Sequence, residues 1–219
     1  GQSGQLYLGA NLEFQGVPLN ATLHAEQSAV LNAWMHDESE LTALYVSETP
    51  CGHCRQFLRE LANLDKLQIH VRDQVLTLDE LLPHAFGNAR AKGHSLLDSC
   101  PVDFEAVSPE PNTSQQHAIN AAQRSYVPYT RSREGFAIEC ANGQSFSGRA
   151  VECAAFNPSV PGFLTALNQR NLSNSRDVAI SACTQAKLAT AINDPLPCAR
   201  AVMGAISNVK IDVVQMEAQ

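Results

Sequence analysis

Residues 24–58, HAEQSAVLNAWMHDESELTALYVSETPCGHCRQFL, decide the fold. Ala29, Val30, Ala33 and Trp34 recur at helical spacing, which predicts an amphipathic helix over residues 24–36 that starts near His24. The short apolar run from Ala43 to Val46 reads as a strand. Pro50 precedes a second helical pattern with Phe57, Leu58, Leu61 and Ala62 on one face, and Leu67 to Val71 gives a further strand. Upstream, residues 5–14 (QLYLGANLEF) read as extended structure. Helices alternating with strands at this spacing imply a layered α/β domain with parallel neighbours in its sheet.

Downstream the texture changes. From about Gly87 to Thr113 there is little periodicity, and Pro101, Pro109 and Pro111 mark a linker, assigned to residues 88–113. A second unit, residues 114–219, opens with a helix expected over Gln115 to Ser125 and continues into two strands joined through Asn142-Gly143, a hairpin signal. This unit partly repeats the first. Gly9-Ala10-Asn11-Leu12-Glu13 is echoed by Gly148-Arg149-Ala150-Val151-Glu152, and Thr49-Pro50-Cys51 by Leu196-Pro197-Cys198, so the second unit reads as a copy without metal ligands.

Composition bounds the function. At 219 residues, 44% hydrophobic and 17% charged, the chain is long enough for one large or two smaller cores. A formal charge of -7 argues against a surface built to neutralise phosphates, so nucleic acid is not an expected partner and a small uncharged substrate is. No apolar run is long enough to span a membrane and no secretion signal is visible, which makes the cytoplasm the expected location. Seven cysteines, two of them in Cys51-x-x-Cys54, favour metal or redox chemistry over disulfides in such a compartment. The chain starts at Gly1 without a Met and is expected to be part of a longer protein.

The chemistry concentrates at the two helix starts, His24-Ala25-Glu26 and Pro50-Cys51-Gly52-His53-Cys54. This is the signature of zinc deaminases. Three ligands, His24, Cys51 and Cys54, leave a tetrahedral Zn²⁺ one open position, as catalytic rather than structural sites do. Residues i and i+2 do not share a face within a helix, so His24 and Glu26 converge only if they stand at its end. Glu26 is then the candidate proton carrier. A redox Cys-x-x-Cys or half of a structural zinc site are the competing readings, and the upstream His-x-Glu weighs against both. His53 is read as a loop residue outside the ligand set; Arg55 is either a donor that orients the cysteine turn or a surface charge. Asn11 and Glu13 alternate with apolar neighbours and so face one way on an extended segment, where an amide beside a carboxylate suits sugar hydroxyls and repels phosphate.

The segments GANLEF, HAEQSA and TPCGHCRQF resemble cytidine deaminases of the long, two-domain, homodimeric type, within the cytidine and deoxycytidylate deaminase superfamily, and the similarity runs over nearly the whole chain. The resemblance implies a three-layer α/β/α fold, with a catalytic domain over residues 1–87 and a degenerate, non-catalytic copy over 114–219. It implies one Zn²⁺ per subunit on His24, Cys51 and Cys54, Glu26 as proton shuttle, and Asn11 and Glu13 on the ribose. The activity it implies is hydrolytic deamination of cytidine and 2′-deoxycytidine in pyrimidine salvage, by a homodimer whose interface completes each site. Leu82-Pro83-His84-Ala85-Phe86-Gly87 resembles a segment whose Phe reaches the partner's site, making Phe86 a candidate to pack on the pyrimidine; a buried linker anchor is the alternative. Residues 152–159, ECAAFNPS, resemble a part of the non-catalytic domain that lies near the partner's substrate. The family's N-terminal helical segment and first strand have no counterpart before Gly1.

Overall fold

The computed structural model describes residues 1–87, 95–98, 100–106 and 110–218. They divide into two compact units that do not follow the sequence halves. Unit 1 comprises Gly1–Ala10, His24–Ser99 and Glu152–Ser159, and unit 2 comprises Asn11–Leu23, Cys100–Val151 and Val160–Gln219. Much of the linker expected over residues 88–113 lies outside the described residues. Its described parts include a 3-10 turn at Leu96–Asp98 in unit 1, where Leu96 is fully buried, and a strand at Phe104–Ala106 in unit 2.

In unit 1, helix α1 (Ala25–Met35) buries Val30, Leu31, Ala33 and Trp34. A three-stranded sheet follows, β1 (Ala43–Val46) beside β2 (Gln68–Val71) beside β3 (Gln74–Leu76). The first pair is parallel and the second antiparallel, so the sheet is mixed. Helix α2 (Gly52–Leu58), which buries Cys54, Phe57 and Leu58, lies between β1 and β2 in sequence, as a parallel pair requires of its connection. A short helix α3 (Leu78–Leu81) carries Thr77 as its cap, with Glu80 completing the reciprocal bonds. Leu44 and Ile69 point into the core, whereas exposed Tyr45, half-buried His70 and exposed Val75 form a cross-strand row in which the Tyr45 and His70 rings stack 4.2 Å apart.

Unit 2 is built on a five-stranded mixed sheet, in the order β4 (Phe104–Ala106), β8 (Ile211–Ala218), β7 (Ile180–Leu188), β5 (Glu134–Cys140) and β6 (Ser145–Arg149). Only β7 and β8 are parallel. Asn142-Gly143 turns β5 into β6 with Gly143 at φ 83, the left-handed region that glycine enters without cost. Helix α4 (Thr113–Gln123) starts two residues before its expected first residue, because Asn112 caps it in a reciprocal pair with Gln115. Two further helices complete the unit, α5 (Gly162–Asn171) and α6 (Leu196–Ile206). Gly135 lies against the α4 backbone, and the adjacent Glu134 side chain accepts from Gly162 N–H at the start of α5. Successive strand residues point to opposite faces, so α4 and α5 cover opposite faces of the sheet, giving three layers. Ala118, Ile119, Ala122, Ala137, Ala186, Val214 and Met216 form a core on the α4 side.

One expectation fails. Residues 5–14 form no strand; they hold a single antiparallel bridge, Leu12 to Leu23. The matching strand in unit 2, β6, takes its whole ladder from β5, a pairing that residues 5–14 do not make among the described residues. The repeat itself is visible in packing. Gly9 leaves no room for a side chain against Ala25 O and Ala29 N of α1, and Gly148 leaves none against Gly162 O and Ala166 N of α5. The same close approach of extended chain to helix thus recurs in both units.

Candidate metal centre

His24 caps α1 in an extended conformation (φ -80, ψ 155), and Cys51 caps α2 likewise (φ -68, ψ 167). Each cap projects its side chain off the end of its helix, which lets residues two apart serve one site. Cys51 Sγ and Cys54 Sγ lie 3.4 and 3.3 Å from His24 Nδ1 and 3.7 Å from each other. Metal–ligand bonds of about 2.3 Å to sulfur and about 2.0 Å to nitrogen, placed tetrahedrally, give edges of about 3.8 and 3.5 Å. The three donors therefore already outline one face of a tetrahedron around a zinc ion. Among the described residues no other three His, Cys, Asp or Glu donors come together in this way.

Glu26 stands beside this face, its Oε2 3.3 Å from Cys54 Sγ. Burial, reinforced by Glu26 and then Cys51, drives the Cys54 thiol far above its ordinary range, so a cation is what makes the thiolate form tenable here. The free backbone N–H groups of two helix starts point the same way. His53 is outside the donor set and stacks on His24, ring centroids 5.2 Å apart; burial and then the neighbouring His24 lower its pKa. Arg55 resolves in favour of the orienting role. It donates to Pro50 O and Leu81 O, both at 2.6 Å, and so ties the cysteine turn to α3.

The sequence reading missed the ties behind the donors. Gln27 Oε1 accepts from His24 N–H at 3.3 Å, a capping pair whose local signal, Gln three residues after the cap, was present in the sequence. Glu60 is 1% exposed and accepts from Ala154 N–H at 2.8 Å, and no local pattern announces a partner 94 residues away. Asn11 and Glu13 are exposed, alternating with half-buried Leu12 and Phe14, and fall in unit 2. Phe86 is 65% exposed, with its carbonyl held by Gln56 Nε2 at 2.7 Å.

Residues 78–193 match the family described as the cytidine and deoxycytidylate deaminase zinc-binding region, and residues 1–71 match a second family of the same description. The chain belongs to the cytidine and deoxycytidylate deaminase family. It carries two such domains, and His24, Cys51 and Cys54 are the zinc-binding site of the first. The cytidine deaminases of Yersinia pestis (strain Pestoides F) and Yersinia pseudotuberculosis (serotype O:1b, strain IP 31758) are each 44% identical to it over 181 residues, which is 82% of this chain and 61% of the relative. The chain thus spans about three-fifths of the length of these curated relatives. A solved cytidine deaminase from Burkholderia pseudomallei aligns with a TM-score of 0.41 and 24% identity, covering 48% of this chain and 82% of that one.

Proposed function

We propose that the chain carries the catalytic machinery for hydrolytic deamination of cytidine and 2′-deoxycytidine to uridine and 2′-deoxyuridine with release of ammonia, a step of pyrimidine salvage. The observation that carries this reading is the carboxylate of Glu26 at the edge of a three-donor, open zinc site. Bound zinc supplies acidity to water at neutral pH and so makes it a nucleophile. Glu26 takes the proton that the attacking water sheds and gives it to ring N3 as the C4–O bond forms. It then carries the remaining proton of that water from the new C4 hydroxyl to the exocyclic nitrogen, the C4–N bond breaks as the C4 carbonyl forms, and ammonia leaves.

Asn11 and Glu13 hold the ribose hydroxyls, a role their shared exposure supports. The exposed ring of Phe86 supports a homodimer in which this residue packs on the pyrimidine in the partner's site. Residues 1–87 act as the catalytic domain and 114–219 as the non-catalytic copy. None of the seven cysteines is in a disulfide, which supports a cytoplasmic location, and among the described residues no helix is long and apolar enough to cross a membrane.

The test is loss of cytidine absorbance with purified, zinc-loaded protein. Conversion to uridine is expected, stopped by a chelator and restored by zinc. Glu26→Gln is expected to keep its zinc while turnover falls at least about 100-fold. A variant that binds zinc and turns over at the wild-type rate would remove Glu26 from the mechanism.

A further inference from the structure

Residues 152–159 lie in the second half of the sequence yet belong to unit 1. They form a closed turn. Cys153 N–H donates to Ser159 Oγ at 2.9 Å, Phe156 N–H to Cys153 O at 2.8 Å and Ser159 N–H to Phe156 O at 2.8 Å, with Phe156 held at φ 58. A non-glycine residue in the left-handed region persists only where its surroundings over-determine it, so this turn is stiff.

Three bonds attach the turn to the two helices that carry the zinc donors. Gln27 Nε2, in α1, donates to Pro158 O at 2.9 Å in a buried setting. Ala154 N–H donates to Glu60 Oε1, just past the end of α2, at 2.8 Å. The Cys153 thiol lies 3.5 Å from Gln56 O, within α2; burial pushes its pKa up to about 12, so it remains a neutral donor. Gln27 is tied at both ends. Its Oε1 takes the backbone N–H of the ligand His24 while its Nε2 holds the turn. Glu60 lies six residues beyond the ligand Cys54 on the same stretch of chain.

We infer that residues 153–158 are a brace that fixes the helix start carrying His24 relative to the one carrying Cys51 and Cys54, with Gln27 and Glu60 as its positioning residues. The donors sit within a few tenths of an ångström of tetrahedral edges although they come from helices 27 residues apart in sequence. A stiff third element bonded to both helices supplies that precision. Groups that orient metal ligands in this way typically change metal affinity about 10- to 100-fold when altered. The inference rests on the zinc site and not on the identity of the substrate.

The experiment compares the zinc-loaded full chain with three variants. Gln27→Glu is isosteric and keeps the acceptor for His24 N–H, but sets a carboxylate oxygen against Pro158 O. Glu60→Gln keeps an acceptor for Ala154 N–H, and Glu60→Ala removes it. Two readouts are taken, the rate of zinc transfer to a chromogenic chelator and the visible spectrum of the Co²⁺-substituted protein. Gln27→Glu and Glu60→Ala are expected to release zinc about tenfold faster or more and to shift the cobalt bands, with Glu60→Gln within about threefold of wild type. Should Glu60→Ala fail to fold, the contrast between Gln27→Glu and Glu60→Gln decides. Wild-type release rates and an unchanged cobalt spectrum in Gln27→Glu overturn the brace, and they do so whether or not the protein deaminates cytidine.

Discussion

Glu134 is a fully buried carboxyl in unit 2 whose Oε2 accepts from Gly162 N–H at 2.8 Å. Burial raises its pKa to about 7, the Gly162 and Gln185 groups and Lys187 oppose the shift, and Asp194 adds to it. The folded value lies above the unfolded one near 4.5, so the stability it contributes is fully present below pH 4.5 and is lost as pH rises through 7. Over that window the loss is on the order of 3 kcal/mol. Glu134→Gln keeps an acceptor for Gly162 N–H and cannot ionise. Urea unfolding at pH 5 and pH 8 is expected to show similar stability for the two proteins at pH 5 and a more stable variant at pH 8. Parallel pH profiles would show that Glu134 titrates normally. At this scale the zinc ligands, and the place of Glu26 beside them, were legible because such a site gathers residues close in sequence at two helix starts. Gln27's bond to Pro158 and Glu60's to Ala154 span 131 and 94 residues, and such pairings leave no periodic trace.

Among the elements, two glycines of unit 2 offer a contrast. A side chain at Gly148 would collide with Gly162 O and Ala166 N, both backbone atoms, whereas Gly204 sits within α6 with open space around it. Gly148→Ala is expected to destabilise by about 1–3 kcal/mol or more through overpacking against atoms that cannot turn aside. Gly204→Ala is expected to stabilise by about 0.5–1 kcal/mol, because it removes backbone freedom from the unfolded chain at a helical site. Chemical denaturation of both variants checks the pair, and a neutral Gly148→Ala would mean that β6 and α5 can separate cheaply. The strands at 43–46 and 68–71 and the hairpin at Asn142-Gly143 were readable because short apolar runs and turn residues are local signals. The segment 5–14 has the pattern of a strand and lacks the neighbour that would complete one; pattern records which face an extended chain offers, not whether a ladder awaits it. The early start of α4 turned on Asn112, a cap that the apolar periodicity does not include.

For the whole molecule, metal and fold are linked. Zinc binds the assembled donor set and not the unfolded chain, so its removal withdraws binding energy from the folded state. At free zinc a thousandfold above its dissociation constant, that is about 4 kcal/mol, and Tm is expected to fall on the order of 10 °C on chelation. Zinc should restore it and magnesium should not, since magnesium seeks oxygen ligands in octahedral array. An unchanged Tm on chelation would mean that zinc does not bind the folded chain in preference to the unfolded one. The interleaving of the two units has a further consequence during synthesis. Unit 1 uses residues up to Ser99 and then Glu152–Ser159. At roughly 5–20 residues per second, the ribosome needs about 3–10 s to make the intervening stretch. For that interval the nascent chain has the helices of its metal site but not residues 152–159, so on the brace proposed above the centre is completed only once part of the second copy has been translated.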